Sequence, residues 1–384
     1  MLPHWRLAAY YFFYFAFIGA FAPYFSLYLQ SLQFSAWDIG VLMSLMQVTR
    51  IVAPAVWGWL ADRVGAKTPV VRAAAVLSVV GFAGFFATRS FAGVFAAMAA
   101  LAFFWSAALP LVEALTLGHL GTAVTRYGRI RLWGSIGFIA AVLGVGYLLD
   151  RMPIGTILWV CQMLLGGIML CSLLVPEAPP LRHDADHVSL RAILRRTEVL
   201  RLLGACFLMA AAHGPLYVFL SIYLVDHAYS KAAVGSLWTL GVVVEIGVFM
   251  YMPRLLRSFS LHDILRFSFL CAVVRFLLIG WAVEVPGAVV VAQMMHGATF
   301  GAYHAAAVAA VSQWFGGRHQ ARGQALYAGV SFGGGGMVGG LVSGYTWELL
   351  GPALTYTVGS LFALSGYLVL GGRSRVSSLP PVER

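Results

Sequence analysis

Stretches of about 20 apolar residues, the length a helix needs to cross the hydrocarbon core of a bilayer, follow one another along nearly all of this 384-residue chain. Backbone in lipid must satisfy its own hydrogen bonds, which leaves α-helices or a closed β-barrel. The runs are continuous and do not alternate with period two, so helices are expected. Twelve spans are predicted, near 7–29, 37–60, 70–88, 91–117, 132–149, 155–175, 202–225, 232–252, 264–283, 286–312, 324–346 and 353–371. The chain is 61% hydrophobic and 10% charged, whereas a soluble domain carries about 25% charged residues. The expected fold class is an all-α membrane protein with twelve transmembrane helices and no separate soluble domain.

The net charge of +11 invites a nucleic-acid reading, but its placement speaks against one. With the N-terminus on the inner side, only Arg89, Arg151 and Lys231 fall outside, while Arg50 and Arg275 lie within spans. The remaining lysines and arginines gather on the inner side, which is the positive-inside pattern. The expectation is an integral protein of a bacterial-type cytoplasmic (inner) membrane with both termini cytoplasmic. The partners expected are the lipid bilayer, a small-molecule substrate and protons, with no nucleic acid and function as a monomer. Cys161, Cys171, Cys206 and Cys271 all fall in predicted helices without paired spacing and read as packing residues. The first apolar stretch is too long for a signal-peptide core and reads as a retained helix.

An offset of 195 residues aligns Arg6-Leu7 with Arg201-Leu202, Gly19 with Gly214, and Ser26–Leu29 with Ser221–Leu224. It also sets Gly40 on Gly235 and Arg50 on Glu245. Such a run in one register predicts two pseudo-symmetric six-helix halves, 1–175 and 200–372. The Pro-, Arg-, His- and Asp-rich segment 176–199 then forms a cytoplasmic linker, and 373–384 a cytoplasmic tail. Opposite buried charges at the equivalent positions 50 and 245 are either coupled or paired locally.

Charge inside a membrane costs several kcal/mol unless it faces protein, water or a partner, so the few ionisable residues within spans are the candidate site. Glu113 and Arg131 bracket the turn near Gly121–Thr122, and Glu245 and Arg275 bracket Ser260. With a rise of about 1.5 Å per residue, each pair reaches a similar depth on antiparallel neighbours. On the first helix Tyr10, Phe13, Tyr14 and Phe17 share a face; they serve either packing or an aromatic wall against substrate. His213 stands beside the break at Gly214-Pro215, and Gln293, His296, Phe300 and His304 recur along the tenth span. These are either polar cross-links between helices or contacts with substrate or a moving proton. No carboxylate or cysteine in that segment completes a metal set, and neither a cofactor nor a metal is expected. Nor does the chain carry Ser–His–Asp spacing or a phosphate loop, so no enzyme activity is expected.

Between the second and third spans, Gly58-Trp59-Leu60-Ala61-Asp62-Arg63-Val64-Gly65-Ala66-Lys67 resembles the G-x-L-a-D-r-x-G-r-k signature of the major facilitator superfamily, with Ala66 in place of a basic residue. The resemblance implies the major facilitator fold and a gating loop at Gly58, Asp62, Arg63, Gly65 and Lys67. The run Arg129–Phe138 is similar to the G-R-x-R-x-x-G-x-x-G-aromatic pattern of the lactose permease group. Gly241–Ile246 and His296–His304 resemble the phenylpropionate permease branch, a set of proton-linked importers. Carried over, Glu113 and Arg131 match a substrate-contacting carboxylate–arginine pair and Phe138 a stacking aromatic. Arg275 and His296 match members of a proton-coupling network.

Thr299 stands where lactose permease has its proton-carrying glutamate, so proton uptake is expected at Glu245, with Arg275, His296 and Arg50 coupled to it. Substrate binding is expected from Glu113, Arg131, Phe138, Tyr10, Tyr14, His213, Gln293 and His296. The expected function is secondary active transport by alternating access, as proton-coupled import of a small organic solute such as a phenylpropionate-like aromatic acid. The alternatives are a proton-driven exporter of amphipathic compounds or a nucleoside or sugar proton symporter.

Overall fold

The computed structural model describes residues 3–121, 126–178, 193, 195–315 and 320–371. Most of the expected linker and tail, with Arg182, Arg191, Arg318, Arg373, Arg375 and Arg384, lies outside the described residues, as does Thr122. The rest is helical, in the order α1 (His4–Ser31), α2 (Ala36–Val64), α3 (Thr68–Ala87), α4 (Phe91–Leu120), α5 (Tyr127–Leu149) and α6 (Thr156–Leu174). Then follow α7 (Thr197–Asp226), α8 (Lys231–Ser258), α9 (Leu261–Trp281), α10 (286–314), α11 (Arg322–Leu350) and α12 (Pro352–Leu370). Eleven of these are each long and apolar enough to cross a membrane. The twelfth, α10, is interrupted inside. The protein therefore has the twelve-helix all-α membrane architecture expected from its hydropathy.

Helix ends follow local chemistry. Ser35 and Asp38 form a reciprocal capping box at the start of α2, and Gly65 closes that helix in the left-handed region at φ 74°. Ser90 and Ser260 accept N-terminal backbone N–H groups of α4 and α9. Interior irregularities also have identifiable causes. Proline lacks an N–H and its ring crowds the carbonyl four residues earlier. Accordingly α4 breaks at Ser106–Ala107, four residues ahead of Pro110, and α7 breaks at His213, just ahead of Pro215. In α10 and α11 the backbone opens into π-helical segments, Gly297–Ala302 and Gly329–Gly335, where glycine is dense.

Packing groups the chain into two units, Met1–Arg182 with Val218–Thr239, and His183–Tyr217 with Leu240–Arg384. In the first, α1 lies against α5 at backbone distance. A Cβ on Gly137 would collide with the Phe12 carbonyl, and one on Gly19 would sit 2.5 Å from the Phe138 carbonyl oxygen. The C-terminal end of α5 reaches the start of α8, where Asp150 accepts the N–H groups of Lys231 at 2.7 Å and Ala232 at 3.0 Å. Tyr24 donates to the Val142 carbonyl at 2.7 Å in the same region. In the second unit α7 and α11 approach in the same manner, with Gly339 against the Ala211 carbonyl and Gly335 against that of Phe207. The glycine run of α11 thus provides close approach.

Candidate functional site

The first unit brings Glu113, Arg131, Tyr11, Tyr14 and Tyr127 into one neighbourhood. Glu113 and Arg131 are both half-buried, at similar distances from the α4–α5 turn. They do not form a direct ion pair within 4 Å among the described residues. Instead Glu113 accepts from the Tyr127 hydroxyl at 3.2 Å. The Arg131 guanidinium lies 3.8 Å from the centroid of the Phe15 ring and 5.7 Å from that of Tyr11. Gly134 leaves room for both Phe15 and the Arg131 fork, which a Cβ there would meet. The charge is therefore held on an aromatic face with its donor edge uncommitted to a carboxylate.

Tyr10 and Tyr14 are buried on α1. Tyr14 stacks on Trp105 with ring centroids 4.7 Å apart and planes 4° apart, and Tyr10 stacks on Tyr14 at 6.3 Å. Neither the Tyr10 hydroxyl nor the Trp105 indole N–H has a hydrogen-bond partner among the described residues, though both are buried. Sequence reasoning missed Trp105. Its signal was a tryptophan immediately before the proline-induced break in α4. Phe138 is half-buried without an aromatic partner among the described residues, and Arg50 is exposed on α2.

Between α2 and α3, Gly65 supplies the turn, Arg63 lies over Trp59 at 5.1 Å, and Gly58, Asp62 and Lys67 flank it. A residue not anticipated, Glu177, accepts the Thr68 N–H at 2.7 Å and so caps α3. Burial pushes its carboxyl up, but the backbone N–H groups of Thr68 and Lys67 and the Lys67 charge outweigh this. They hold it below the ordinary glutamate value.

The second unit contains a tighter polar set around Arg275, whose side chain on α9 is fully buried. One terminal nitrogen donates to Thr299 Oγ1 at 2.8 Å and to His296 Nδ1 at 3.1 Å; the other donates to Gln293 Oε1 at 3.1 Å. No carboxylate lies within 4 Å of it among the described residues. A guanidinium can only donate, so His296 Nδ1 accepts and the ring proton sits on Nε2. That nitrogen is 3.5 Å from Glu245 Oε2. The expected Glu245–Arg275 pair is thus bridged by an imidazole. The α10 π segment shapes this arrangement, since Gly301 leaves the space that the Glu245 side chain approaches.

Further along α10, Phe300 stacks between His296 at 5.3 Å and His304 at 5.7 Å, with planes 8° and 15° apart. His304 Nδ1 is 3.0 Å from the Tyr327 hydroxyl of α11. His213 donates Nδ1–H to the Met209 carbonyl at 2.8 Å and packs edge-on to Phe276 at 5.0 Å. Its Nε2 is buried without a hydrogen-bond partner among the described residues.

Comparison with known proteins gives one consistent picture. The model of the MFS_1 like family matches residues 4–358. The probable 3-phenylpropionic acid transporter of Escherichia coli is 30% identical over 360 residues, covering 92% of this chain and 93% of that one. The maltose permease of Geobacillus stearothermophilus is 28% identical over 367 residues, covering 94% and 92%. Among solved structures, a mutant form of the nucleoside transporter NupG superposes with a TM-score of 0.85 at 18% identity, covering 96% of this chain and 98% of that one.

Proposed function

The chain belongs to the MFS_1 like family of membrane transporters, and on that premise we propose that it imports a small aromatic carboxylic acid together with protons, by alternating access. The substrate class is supported by the 3-phenylpropionic acid transporter relative. It is also supported by an arginine seated on an aromatic face, a setting that can pair with a carboxylate while rings hold the apolar part. In this reading Arg131 binds the carboxylate, Glu113 and Tyr127 orient it, and Tyr10, Tyr14 and Phe138 form the aromatic surroundings. For the second unit taken by itself, His213, Gln293 and His296 are the proposed substrate contacts, and Arg50 of α2 is proposed to be coupled electrostatically to the cycle.

The observation that carries the coupling proposal is the Arg275–His296–Glu245 series. A buried cation balanced through an imidazole makes the energy of the whole set depend on whether Glu245 is ionised. Protonating Glu245 removes the negative end of that series and loosens the hold on His296. A change at Glu245 is thereby transmitted to Arg275, Gln293 and Thr299. We also propose two six-helix halves, 1–175 and 200–372, acting as one monomer in a bacterial inner membrane, with the loop from Gly58 to Lys67 as the gate.

Uptake into proteoliposomes under an imposed pH gradient tests this reading. With 3-phenylpropionate as probe, the wild type is expected to accumulate solute against its gradient. Glu245→Gln is expected to abolish accumulation while retaining exchange at equal pH. Gradient-independent flux in the wild type, or undiminished accumulation by the variant, rejects the coupling. The maltose permease and nucleoside permease relatives support a second reading, a sugar or nucleoside proton symporter. The same assay run with maltose and uridine separates the two.

A further inference from the structure

Two neighbours of Arg131 fix where its charge points. The guanidinium carbon stands 3.8 Å from the centroid of the Phe15 ring of α1. An N–H aimed into the ring would hold that carbon further off, so the planar group rests on the ring face and its donors point sideways. Gly134, one turn along α5 from Arg131, supplies the second constraint. A Cβ there would lie 2.7 Å from Phe15 Cδ2 and 2.8 Å from Arg131 Nη1, so ring and guanidinium share the space a side chain would fill. The frame around them is closely packed. Gly137 of α5 meets the carbonyl of Phe12, one turn before Phe15 on α1. Phe15 also lies edge-on to Tyr14 at 5.2 Å, and Tyr14 is stacked on Trp105 of α4.

We propose that Phe15 and Gly134 are positioning residues that make the first unit select a planar carboxylate over its neutral amide. The proposal rests on the reading that Arg131 binds the substrate carboxylate. A carboxylate accepts two parallel N–H donors from one edge of a guanidinium. The isosteric amide offers a single acceptor and turns its own NH2 donors toward the fork. A guanidinium free to rotate can turn to meet that single acceptor. One seated on Phe15 and bounded by Gly134 keeps its edge in place, and the mismatched ligand leaves a donor unpaired. Such an unpaired polar group is what gives a hydrogen-bonding site its selectivity.

The test is isothermal titration calorimetry of the full-length protein in detergent with 3-phenylpropionate and 3-phenylpropionamide. The readout is the ratio of the two dissociation constants. A general loosening of the fold leaves that ratio alone, because the probes share ring and chain. Phe15→Leu is expected to lower the preference for the acid about fivefold or more, the scale of losing the cation–π seat. Phe15→Tyr keeps the ring face and is expected to stay within about twofold of wild type, the range of a mild perturbation. Gly134→Ala is expected to act as Phe15→Leu does, since its methyl displaces the ring or the fork. Arg131→Gln is measured in parallel. If it loses the preference while Phe15→Leu keeps it, the positioning role is overturned and the carboxylate reading stands. If Arg131→Gln keeps the preference, or the wild type has none, the carboxylate reading falls and the positioning role with it. Equal weakening of both probes in Phe15→Leu marks a packing role and also overturns the proposal.

Discussion

Arg275 shows how a single side chain can organise a membrane protein. A guanidinium taken out of water costs several kcal/mol unless its donors are met and its charge is balanced. Here the two terminal nitrogens donate to neutral acceptors, Thr299, His296 and Gln293, and the buried Nε–H has no hydrogen-bond partner among the described residues. Balance comes one ring further away at Glu245. Arg131 has the opposite arrangement, since its charge rests on the Phe15 ring with no carboxylate within 4 Å among the described residues. A lysine at 131 keeps the charge but loses the planar fork and its stacking surface. Arg131→Lys is therefore expected to raise KM for 3-phenylpropionate about tenfold with a smaller change in kcat, the loss of roughly one charge-assisted hydrogen bond. Initial-rate uptake measures it, and an unaltered KM removes Arg131 from the binding role. Part of this site was visible beforehand. Charges inside apolar spans are rare, so Glu113, Arg131, Glu245 and Arg275 stood out at once. Their exact partners did not, because a tyrosine beside an arginine cluster and a histidine between two charges carry no distinctive spacing.

At the scale of helices, the twelve spans were legible almost to their ends because hydrophobic length dictates them. The interiors were less so. Pro215 marked the break in α7, but the break in α4 ahead of Pro110 was not anticipated. The π segments of α10 and α11 arise from glycine density combined with tertiary contact, which no local pattern expresses. Contacts far apart in sequence, such as Glu177 with Thr68 or Asp150 with Lys231, were equally hidden. Glycine spacing on α5 gives a direct test of packing. A methyl at Gly137 meets the Phe12 backbone, whereas one at Gly144 meets nothing within 4 Å. Gly144→Ala is expected to stabilise by about 0.5–1 kcal/mol through helix propensity. Gly137→Ala is expected to destabilise by about 1–3 kcal/mol through overpacking. Thermal melts of the purified protein compare them, and equal shifts would mean that α1 and α5 are not in backbone contact.

Glu177 adds a pH-dependent element contact. Its carboxyl is held below the ordinary glutamate value, so the folded state binds a proton less readily than the unfolded chain. The stabilisation is then complete above the ordinary glutamate range and is lost as pH falls through the lowered folded value. Wild type is expected to lose melting temperature on acidification through that window, and Glu177→Gln to lose less. Matching acid profiles for the two would assign the loss to other carboxylates.

For the whole molecule, the distribution of charge makes a prediction about orientation. Among the connections on the side opposite the N-terminus, only Arg89, Arg151 and Lys231 are basic. The other side carries Arg63, Lys67, Arg126, Arg129 and Arg257 among many more. Basic residues near short loops resist translocation, so the richer side stays cytoplasmic. An even number of spans then returns the C-terminus to the side of the N-terminus. The four outer-side residues 151–154, between α5 and α6, make a suitable reporter site because Arg151 and Met152 there are exposed. A phosphatase active only outside the cytoplasm is expected to be active when fused after residue 152 and inactive when fused after residue 371. The reverse pattern would invert the protein in the membrane. It would also turn the inner loop that carries Arg63 and Lys67 away from the anionic cytoplasmic leaflet, where their charge is favoured. Two active fusions would require an even number of crossings between those points. In that case one of the seven intervening helices, with the interrupted α10 as the first suspect, would not span.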